Sequence, residues 1–560
     1  MKKKLPKNTP QKSARPAANP AKVFKLGSAL YLVLLGVIIA FVLIVRLQFL
    51  HIPFERDEGT YCYMGQLVLD GKVPYIGFYD MKPPLLYYSY AALLLVFGRT
   101  VEAMHVAFML LNILTIILMY FTGKKLLSSR SAGLVTAAAY AILSLAPFVA
   151  GFTVQSEHII SFFVTAAILL LLTGLEKKKL YYLFFSGLLF SLGFLIKQNG
   201  VFFLAFGGLA IVIYSLLKRP VEWKSLVINV AVFSLGALVV FPVIIGLLYH
   251  QGALQQCLYW TWYYPQEYVS VVTSQEGVTN FNRIAGNIID KNLLLWLLAG
   301  AGFILSFFSG KYLSLFTRIF IWLFVALSFL AITPGLRFFG HYCIFFMPAA
   351  ALLVGVGVVC VKDMLHKYFA VNISGIIALS IFGLAILYNL AQQRDYYFNP
   401  DDRAVLRMVY QMNPFPEAKV VGDYIKQNST ERDSIGIFGS EPEIYFYADR
   451  RCPSKHEDGY AMLSGSPEAK VFQKEYERDM ETSLPRYFVA FKNPASFSVF
   501  KSDTPILNWL NAFLATKYNV IGIIDMLSEN NTQYVWGDDV NRYKVKSEFS
   551  GYVFERKKTN

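Results

Sequence analysis

The residues of this chain that could do chemistry stand where long apolar runs end. Asp57 and Glu58 follow directly on the first apolar run, and Lys82-Pro83-Pro84 comes just before the chain becomes apolar again. A carboxylate can act as a proton acceptor or donor, and a lysine can stabilise an anion. The segment 56–84 therefore offers both an acid–base group and an anion-binding cation.

The sequence around this segment is that of a membrane protein. Its 560 residues are 55% hydrophobic and only 16% charged, with a mean hydropathy of +0.45, whereas a soluble protein usually carries about 25% charged residues. The apolar residues form blocks of about 18–25, long enough to cross a bilayer core of roughly 30 Å. We predict a polytopic α-helical membrane protein with about eleven transmembrane helices. The predicted spans are 27–48, 101–122, 132–151, 156–174, 180–197, 200–217, 225–249, 293–309, 315–333, 341–361 and 370–391.

The charges of the connecting loops predict how the chain is oriented. Alternate loops carry two or three cations, as at Lys177, Lys178 and Lys179, while the short loops between them carry at most one. The positive-inside rule therefore places the N-terminus in the cytoplasm and residues 392–560 outside, in a multi-pass protein of the cell membrane. Two long loops, 49–100 and 250–292, are predicted on the outer side.

The two ends of the chain differ from its apolar middle. Residues 1–25 contain eight Lys and Arg side chains and no acid. We interpret residues 1–26 as a disordered cytoplasmic tail that touches anionic lipid, with a nucleic-acid-binding tail as the alternative. Residues 392–560 are charged and alternate strand-like runs, such as 434–439, with helical stretches, such as 505–516. They predict a soluble α/β domain of about 170 residues.

The unusual polar residues fall on the predicted outer face. They are Asp57, Glu58, Asp80, Lys82, Glu157, His158, Lys197, Arg337 and His341. Ionisable groups at membrane depth are costly, so a set of them on one face indicates a functional cavity. For Asp57 the plain alternative is a helix N-cap, with Glu58 as a first-turn acid.

Two other features have more than one interpretation. The stretch 257–265, CLYWTWYYP, could contact a sugar or a prenyl chain, or could anchor the chain at the membrane interface. The five cysteines have no metal-site spacing and are expected to be packing residues, with a Cys62–Cys257 disulfide as the alternative.

These motifs together resemble the GT-C membrane glycosyltransferases of family 39, which include protein O-mannosyltransferases and the lipid A aminoarabinose transferase. The resemblance covers most of the chain. It rests on Asp57-Glu58, GKVPY (71–75), KPPL (82–85), TVQSE (153–157), Lys197, GLRFFGHY (335–342) and GSEPEIYFYADRR (439–451).

The resemblance implies an enzyme that moves a sugar from a polyprenyl-phosphate donor to a lipid, glycan or protein acceptor outside the cytoplasm. It implies Asp57 as the base, with Glu58 supporting it. Lys82 and Arg337 would hold the donor phosphate, with His341 as a further candidate. The supporting residues would be Glu157, Lys197 and Tyr61.

One departure from the family concerns metal binding. The aminoarabinose transferase has a metal-binding Glu directly before the matched lysine, whereas this chain has Met81 there and Asp80 one place earlier. We therefore predict no metal site and no cofactor. The competing functions are a transporter or flippase of lipid-linked sugars, a glycan ligase or polymerase of the same fold, and a scaffold whose outer domain binds partners.

Overall fold

The structure is a computed structural model that describes residues 28–310, 313–459, 461–463, 468–492 and 505–558. The tail predicted at 1–26 lies outside the described residues. The first seventeen helices are α1 Ser28–Gln48, α2 Arg56–Leu69, α3 Leu85–Phe97, α4 Val101–Leu126, α5 Arg130–Leu143, α6 Ser156–Lys177, α7 Leu180–Ile196, α8 Val201–Leu217, α9 Trp223–Leu238, α10 Val240–His250, α11 Leu254–Leu258, α12 Tyr264–Ser270, α13 Ser274–Lys291, α14 Leu293–Phe308, α15 Leu315–Ala331, α16 Met347–Leu365 and α17 Val371–Gln392.

The C-terminal part combines helices with one sheet. Its helices are α18 Arg394–Tyr397, α19 Asp402–Tyr410, α20 Phe415–Asn428, α21 Glu443–Ala448, α22 Ala469–Ser483 and α23 Pro505–Lys517. Its strands are β1 Ile435–Phe438, β2 Tyr487–Lys492, β3 Tyr518–Ser528, β4 Asn531–Trp536 and β5 Ser550–Arg556. The sheet order is β1-β2-β5-β3-β4, with β1 and β2 parallel and the other pairs antiparallel. The predicted α/β character of this part is confirmed.

The number of spans differs from the prediction. Among the described residues, seven helices are long and apolar enough to cross a membrane, or eight if the pair α13 and α14, bent by 105°, is one span. All eleven predicted spans coincide with apolar helices, but α5, α7 and α15 have only 14, 17 and 17 residues. A 14-residue helix covers about 21 Å, less than the bilayer core of roughly 30 Å. The backbone after α5 is irregular and buried inside the protein, where its polar groups can be satisfied.

The membrane helices pack closely around α16. In the apolar segment Gly340–Leu365, which includes α16, 83% of the residues in the most apolar stretch are buried. A Cβ at Gly302 of α14 would lie 2.0 Å from the Leu353 carbonyl oxygen, and one at Gly357 would lie 2.4 Å from that of Leu298. These two glycines therefore allow the backbones of α14 and α16 to touch, as small residues do in membrane bundles.

Helix α2 is held by the C-terminal domain. A Cβ at Gly59 would lie 2.2 Å from Glu443 Cβ, so α2 crosses α21 at backbone distance. The Phe54 amide donates to the Tyr447 hydroxyl at 2.6 Å, and the rings of Tyr63 and Tyr445 stack with centroids 4.9 Å apart. The position of α2 is thus set from both the membrane helices and the sheet domain.

Candidate active site

The first turn of α2 is built by a capping box that the sequence analysis did not anticipate. Glu55, not Asp57, is the N-cap. The Glu58 amide donates to Glu55 Oε1 at 3.0 Å, and the Glu55 amide donates to Glu58 Oε2 at 2.8 Å. This arrangement satisfies two amide groups of the helix end that would otherwise lack partners. The N-cap explanation of Asp57 is therefore wrong.

Glu58 also ties α2 to the segment before α6. Its second carboxylate oxygen accepts a hydrogen bond from the Val154 amide, and the Gln155 side chain donates to Glu55. Only 1% of Glu58 is exposed. Burial raises its pKa to about 8, against the backbone hydrogen bonds at Glu55 and Val154, which lower it. Both oxygens of Glu58 are used to hold the backbone.

Asp57, one residue earlier, has a different environment. It lies in the first turn of α2 and its side chain is 36% exposed. An ionisable neighbour of Asp57 is His341, whose Nε2 lies 3.6 Å from Asp57 Oδ2. His341 comes from the irregular segment before α16, so this contact joins residues 284 positions apart in the chain (341 − 57).

Surrounding cations decide the ionisation state of Asp57. Burial alone would raise its pKa, but the charges of His341, Lys82, Lys197 and Arg56 outweigh that effect, and the net pKa is lowered. Asp57 is therefore a carboxylate at neutral pH. A group in this state and partly exposed can accept a proton from a bound hydroxyl, as a general base must.

A buried ion pair lies beside Asp57. The Lys197 ammonium contacts Glu157 Oε1, and the two side chains are 4% and 0% exposed. The same ammonium lies 4.2 Å from the centre of the Tyr342 ring, and the Ser156 hydroxyl donates to Glu157 Oε2 at 3.1 Å. Lys197 is thus held between a carboxylate and an aromatic face, which fixes its charge at the site.

Lys82 is positioned through its backbone. Its carbonyl oxygen accepts hydrogen bonds from the hydroxyls of Tyr75, at 2.7 Å, and Tyr87, at 3.0 Å. Its ammonium lies 3.9 Å from Asp80 Oδ1, and Asp80 also accepts from the Met81 amide and the Tyr87 hydroxyl. The Lys-Pro-Pro turn is therefore rigid before α3 begins.

Tyr61 presents a polar atom to the same region. Its side chain is 2% exposed, and its hydroxyl is buried without a hydrogen-bond partner among the described residues. Burial and the charges of Asp57, Asp80 and Glu157 raise its pKa, so the hydroxyl keeps its proton. A buried donor of this kind costs about 1–3 kcal/mol when it stays unpaired, which suits a group that meets a ligand.

Arg337 lies in the segment that leads to His341. Gly335, Leu336 and Phe338 all have positive φ, at 75°, 50° and 48°. The left-handed conformation is costly for Leu and Phe, and such outliers concentrate at functional sites. Arg337 is half-buried there and is not among the four cations whose charge dominates at Asp57.

The predicted site residues thus fall into two sets. Asp57, Lys82, Lys197, His341 and Glu157 come together where α1 and α7 end and where α6 and α16 begin. We call this the mixed-charge group, and the membrane face that carries it the Asp57 face. The sequence analysis missed Glu55, Tyr75, Tyr87 and Tyr342, since nothing distinguishes them among 35 tyrosines and 37 acidic residues.

Other sequence expectations have mixed outcomes. Trp260 of the aromatic stretch is buried and stacks on Tyr79 and Phe472, at 4.8 and 5.3 Å, so it joins the long loops to the sheet domain. Trp262 and Tyr263 are exposed, at 67% and 62%. All five cysteines are free thiols. Within the described ranges, no three His, Cys, Asp or Glu side chains are grouped to hold a metal ion.

Comparisons with known proteins concern the fold of the chain and its family. The family model for dolichyl-phosphate-mannose-protein mannosyltransferase matches residues 81–248. No curated protein sequence matches the chain.

Solved structures share its architecture at low sequence identity. ArnT from Cupriavidus metallidurans bound to undecaprenyl phosphate is 13% identical with a TM-score of 0.57, and the match covers 94% of this chain and 98% of that one. The oligosaccharyltransferase AglB from Archaeoglobus fulgidus, in complex with an inhibitory peptide and a dolichol-phosphate, is 14% identical with a TM-score of 0.51, over 91% of this chain and 74% of that one. The shared architecture shows that the chain has the membrane fold of these GT-C proteins, and the family match over residues 81–248 supports a membrane glycosyltransferase.

Proposed function

We propose that the chain transfers a sugar from a polyprenyl-phosphate carrier to an acceptor hydroxyl on a lipid, glycan or protein. The observation that carries the proposal is the mixed-charge group, where one partly exposed carboxylate faces several cations at the ends of membrane helices. ArnT, bound to undecaprenyl phosphate, and AglB, in complex with a dolichol-phosphate, share the fold, and this supports a lipid-linked donor.

Asp57 acts as the general base in this proposal. Its carboxylate takes the proton of the acceptor hydroxyl while the hydroxyl oxygen forms a bond to the anomeric carbon of the sugar. The bond between that carbon and the phosphate oxygen breaks, and its electron pair stays on the polyprenyl phosphate. The reaction needs no external oxidant or reductant, and its products are the glycosylated acceptor and the free carrier.

The cations hold the phosphate and stabilise its charge as it leaves. Lys82, Arg337 and His341 are assigned to the phosphate. Lys197, paired with Glu157, keeps positive charge beside Asp57, and the Tyr61 hydroxyl is assigned to the sugar or the phosphate. Glu58 supports Asp57 indirectly, because it holds the first turn of α2 and the Val154 backbone.

A second function has a specific observation in its favour. AglB, an oligosaccharyltransferase that has been tethered to an acceptor peptide, matches this chain over 91% of its length. A ligase that moves a preassembled glycan would use the same base and cations. The size of the transferred group therefore distinguishes a ligase from an enzyme that transfers a single sugar. A flippase is less consistent with charges that collect at one membrane face.

The orientation in the membrane is also a proposal. We propose that residues 1–26 lie in the cytoplasm and that the membrane domain, 27–391, presents the Asp57 face and the domain 392–560 to the outside of the cell membrane, in line with the loop charges. Single cysteines at Lys12 and Asn428 in a cysteine-free background should be labelled by an impermeant maleimide from opposite sides. Labelling of both from one side would overturn this orientation.

The function is tested by replacing Asp57 with Asn and supplying purified polyprenyl-phosphate sugars with one or several sugar units. We expect Asp57→Asn to lower the transfer rate by about 10²–10⁴, the usual range for a general acid–base group. The expected variant still binds undecaprenyl phosphate and unfolds at the wild-type temperature, because the cap of α2 is Glu55.

The matched control is Asp70→Asn, which makes the same change at the other end of α2. Asp70 pairs with Arg99 and Arg451, outside the mixed-charge group, so transfer should continue at close to the wild-type rate. Near-normal turnover in Asp57→Asn would refute the assignment of the base. Transfer of oligosaccharide but not of single sugars would favour the ligase.

A further inference from the structure

A charged cavity lies at the end of the membrane helices opposite to the mixed-charge group. It has a volume of about 480 Å³ and opens between the α6–α7 and α8–α9 loops. Helix α6 begins at Ser156, next to Glu157 of the mixed-charge group, and its 22 residues end at Lys177, a helix length of about 33 Å. The cavity and the proposed active site are therefore on different faces of the membrane and cannot share one ligand.

The lining of this cavity combines cations with an apolar wall. The cations are Lys178, Lys218 and Lys224, with a single acid, Glu222, so the net charge is +2 (3 − 1). Tyr214, Ser225 and Asn229 add hydrogen-bonding groups, and the apolar wall is made by Leu175, Leu180 and Ile228. This is the composition expected around a phosphate attached to a hydrocarbon chain.

The cavity walls are fixed by contacts between helices. The Tyr214 hydroxyl donates to the Leu175 carbonyl at 3.1 Å, which joins α8 to the end of α6. The Lys218 ammonium lies 4.3 Å from the centre of the Tyr214 ring. Trp223, next to Lys224, is 65% exposed and is the kind of side chain that sits at the headgroup level of a bilayer.

The position of Lys224 is not explained by helix stability. Lys178 and Lys218 follow the C-terminal ends of α6 and α8, where a cation is favourable for the helix dipole. Lys224 instead lies in the first turn of α9, where the dipole disfavours a cation. A bound anion would compensate for this placement, and the two other lysines would face the same anion.

We infer that this cavity binds the phosphate headgroup of an anionic phospholipid from the leaflet opposite the Asp57 face. The lysines, the Ser225 hydroxyl and the Asn229 side chain contact the phosphate, and Leu175, Leu180 and Ile228 contact the glycerol and the start of the acyl chains. With the orientation proposed above, this is the cytoplasmic leaflet, whose anionic lipids attract basic sites. The inference is independent of the sugar-transfer reaction.

The test measures lipid binding to the purified, delipidated protein by native mass spectrometry. The probes are phosphatidylglycerol, phosphatidylcholine and inorganic phosphate. The variant is Lys218→Gln/Lys224→Gln. The matched control is Lys362→Gln/Lys367→Gln, which removes two cations around the α16–α17 loop, on the same membrane face by the loop-charge prediction.

We expect phosphatidylglycerol to bind the wild type and the control equally, and to bind Lys218→Gln/Lys224→Gln roughly thirtyfold more weakly, from the usual contribution of two lysines near a lipid surface. Phosphatidylcholine should bind far less well than phosphatidylglycerol, and excess inorganic phosphate should not displace the lipid. Equal loss in both double variants would overturn the site, because binding would then follow total charge. Equal binding of phosphatidylcholine, or displacement by inorganic phosphate, would overturn an anionic lipid as the ligand.

Discussion

Two groups of acids meet at the first turn of α2, and they differ in what surrounds them. In the mixed-charge group, Asp57 and Glu157 face lysines and a histidine. In the second group, which we call the acid group, Glu55, Glu58, Glu441 and Glu443 lie between α2 and the C-terminal domain and are at most 6% exposed.

Burial raises the pKa of acids in both groups, but the net pKa shift at Asp57 is opposite to that in the acid group. Burial raises the pKa of Glu443, and the charge of Glu441 raises it further. Burial likewise raises the pKa of Glu55, with Asp57 and Glu58 adding to it. At Asp57 the neighbouring cations overcome burial and the pKa is lowered.

The comparison shows that adjacent residues of one Asp-Glu motif have different tasks. Asp57 remains charged and partly exposed, so it is available to a substrate. Glu58 is buried and accepts hydrogen bonds from two backbone amides, so its role is structural. The charge of the neighbours, and not the type of the acid, separates the two.

The largest effect on stability is expected from removing the cation of the buried ion pair. Lys197→Met would leave Glu157 buried without its cationic partner. We expect a loss of about 3–5 kcal/mol in unfolding free energy, the usual result of breaking a buried pair from one side. Thermal unfolding in detergent measures this loss.

The control for this prediction removes both charges. Glu157→Gln/Lys197→Met should be more stable than Lys197→Met alone, because no uncompensated carboxylate remains. A double variant that is less stable than the single one would contradict the claim that Lys197 compensates the charge of Glu157.

A smaller effect is expected at Lys82, and it concerns binding and not folding. A charge-assisted hydrogen bond to phosphate contributes about 1.5–3 kcal/mol. Lys82→Ala should therefore bind undecaprenyl phosphate roughly ten- to hundredfold more weakly, as measured by displacement of a fluorescent polyprenyl phosphate. Lys82→Arg should restore part of the binding, because a guanidinium keeps the charge but has a different shape.

Lys72→Ala provides the matched comparison for Lys82. Lys72 lies in the same loop and is exposed, so its loss should leave binding unchanged. If Lys72→Ala and Lys82→Ala weaken binding equally, the loop acts through its total charge and Lys82 has no specific role.

The sequence predicts most of the fold because apolar length and loop charge are local properties. The sequence does not predict where a helix ends when the rest of its apolar segment is surrounded by protein and not by lipid. The predicted span 132–151 stops as a helix at Leu143, and the buried residues that follow include Pro147 in a short 3-10 turn. An apolar sequence is the same for both surroundings, so the eleven predicted spans outnumber the seven or eight helices of the described ranges that are long and apolar enough to cross a membrane.

The sequence predicts those site residues whose charge interrupts or borders an apolar run. Asp57, Lys82, Glu157, Lys197 and His341 are conspicuous because they interrupt or border apolar sequence, and they do come together. The side chains that hold them are not conspicuous. Ser, Thr, Asp and Asn are the usual N-caps, so the pattern favours Asp57 over Glu55, and only the structure shows the Glu55–Glu58 capping box.

The most gradual effect is expected from pH, and it tests the acid group directly. The pKa of Glu58 is about 8 in the folded protein, against an ordinary value of 4.5. Between these two pH values the folded state binds more protons than the unfolded state, so the stabilisation is complete below about pH 4.5 and is lost as the pH rises through 8. Burial is the main cause of the raised pKa of Glu58; the hydrogen bonds from the Glu55 and Val154 amides oppose it, and the charge of Asp57 adds to it. We expect the unfolding free energy to fall by at most about 1.4 kcal/mol per pH unit from this one group.

Glu58→Gln, which resembles the protonated acid in shape, should flatten the dependence of the unfolding temperature on pH between 5 and 8.5, while Asp70→Asn should keep the wild-type slope. A Glu58→Gln protein with the wild-type slope would show that Glu58 is ionised in the folded state, and the contrast between the two neighbouring acids would then rest on exposure alone.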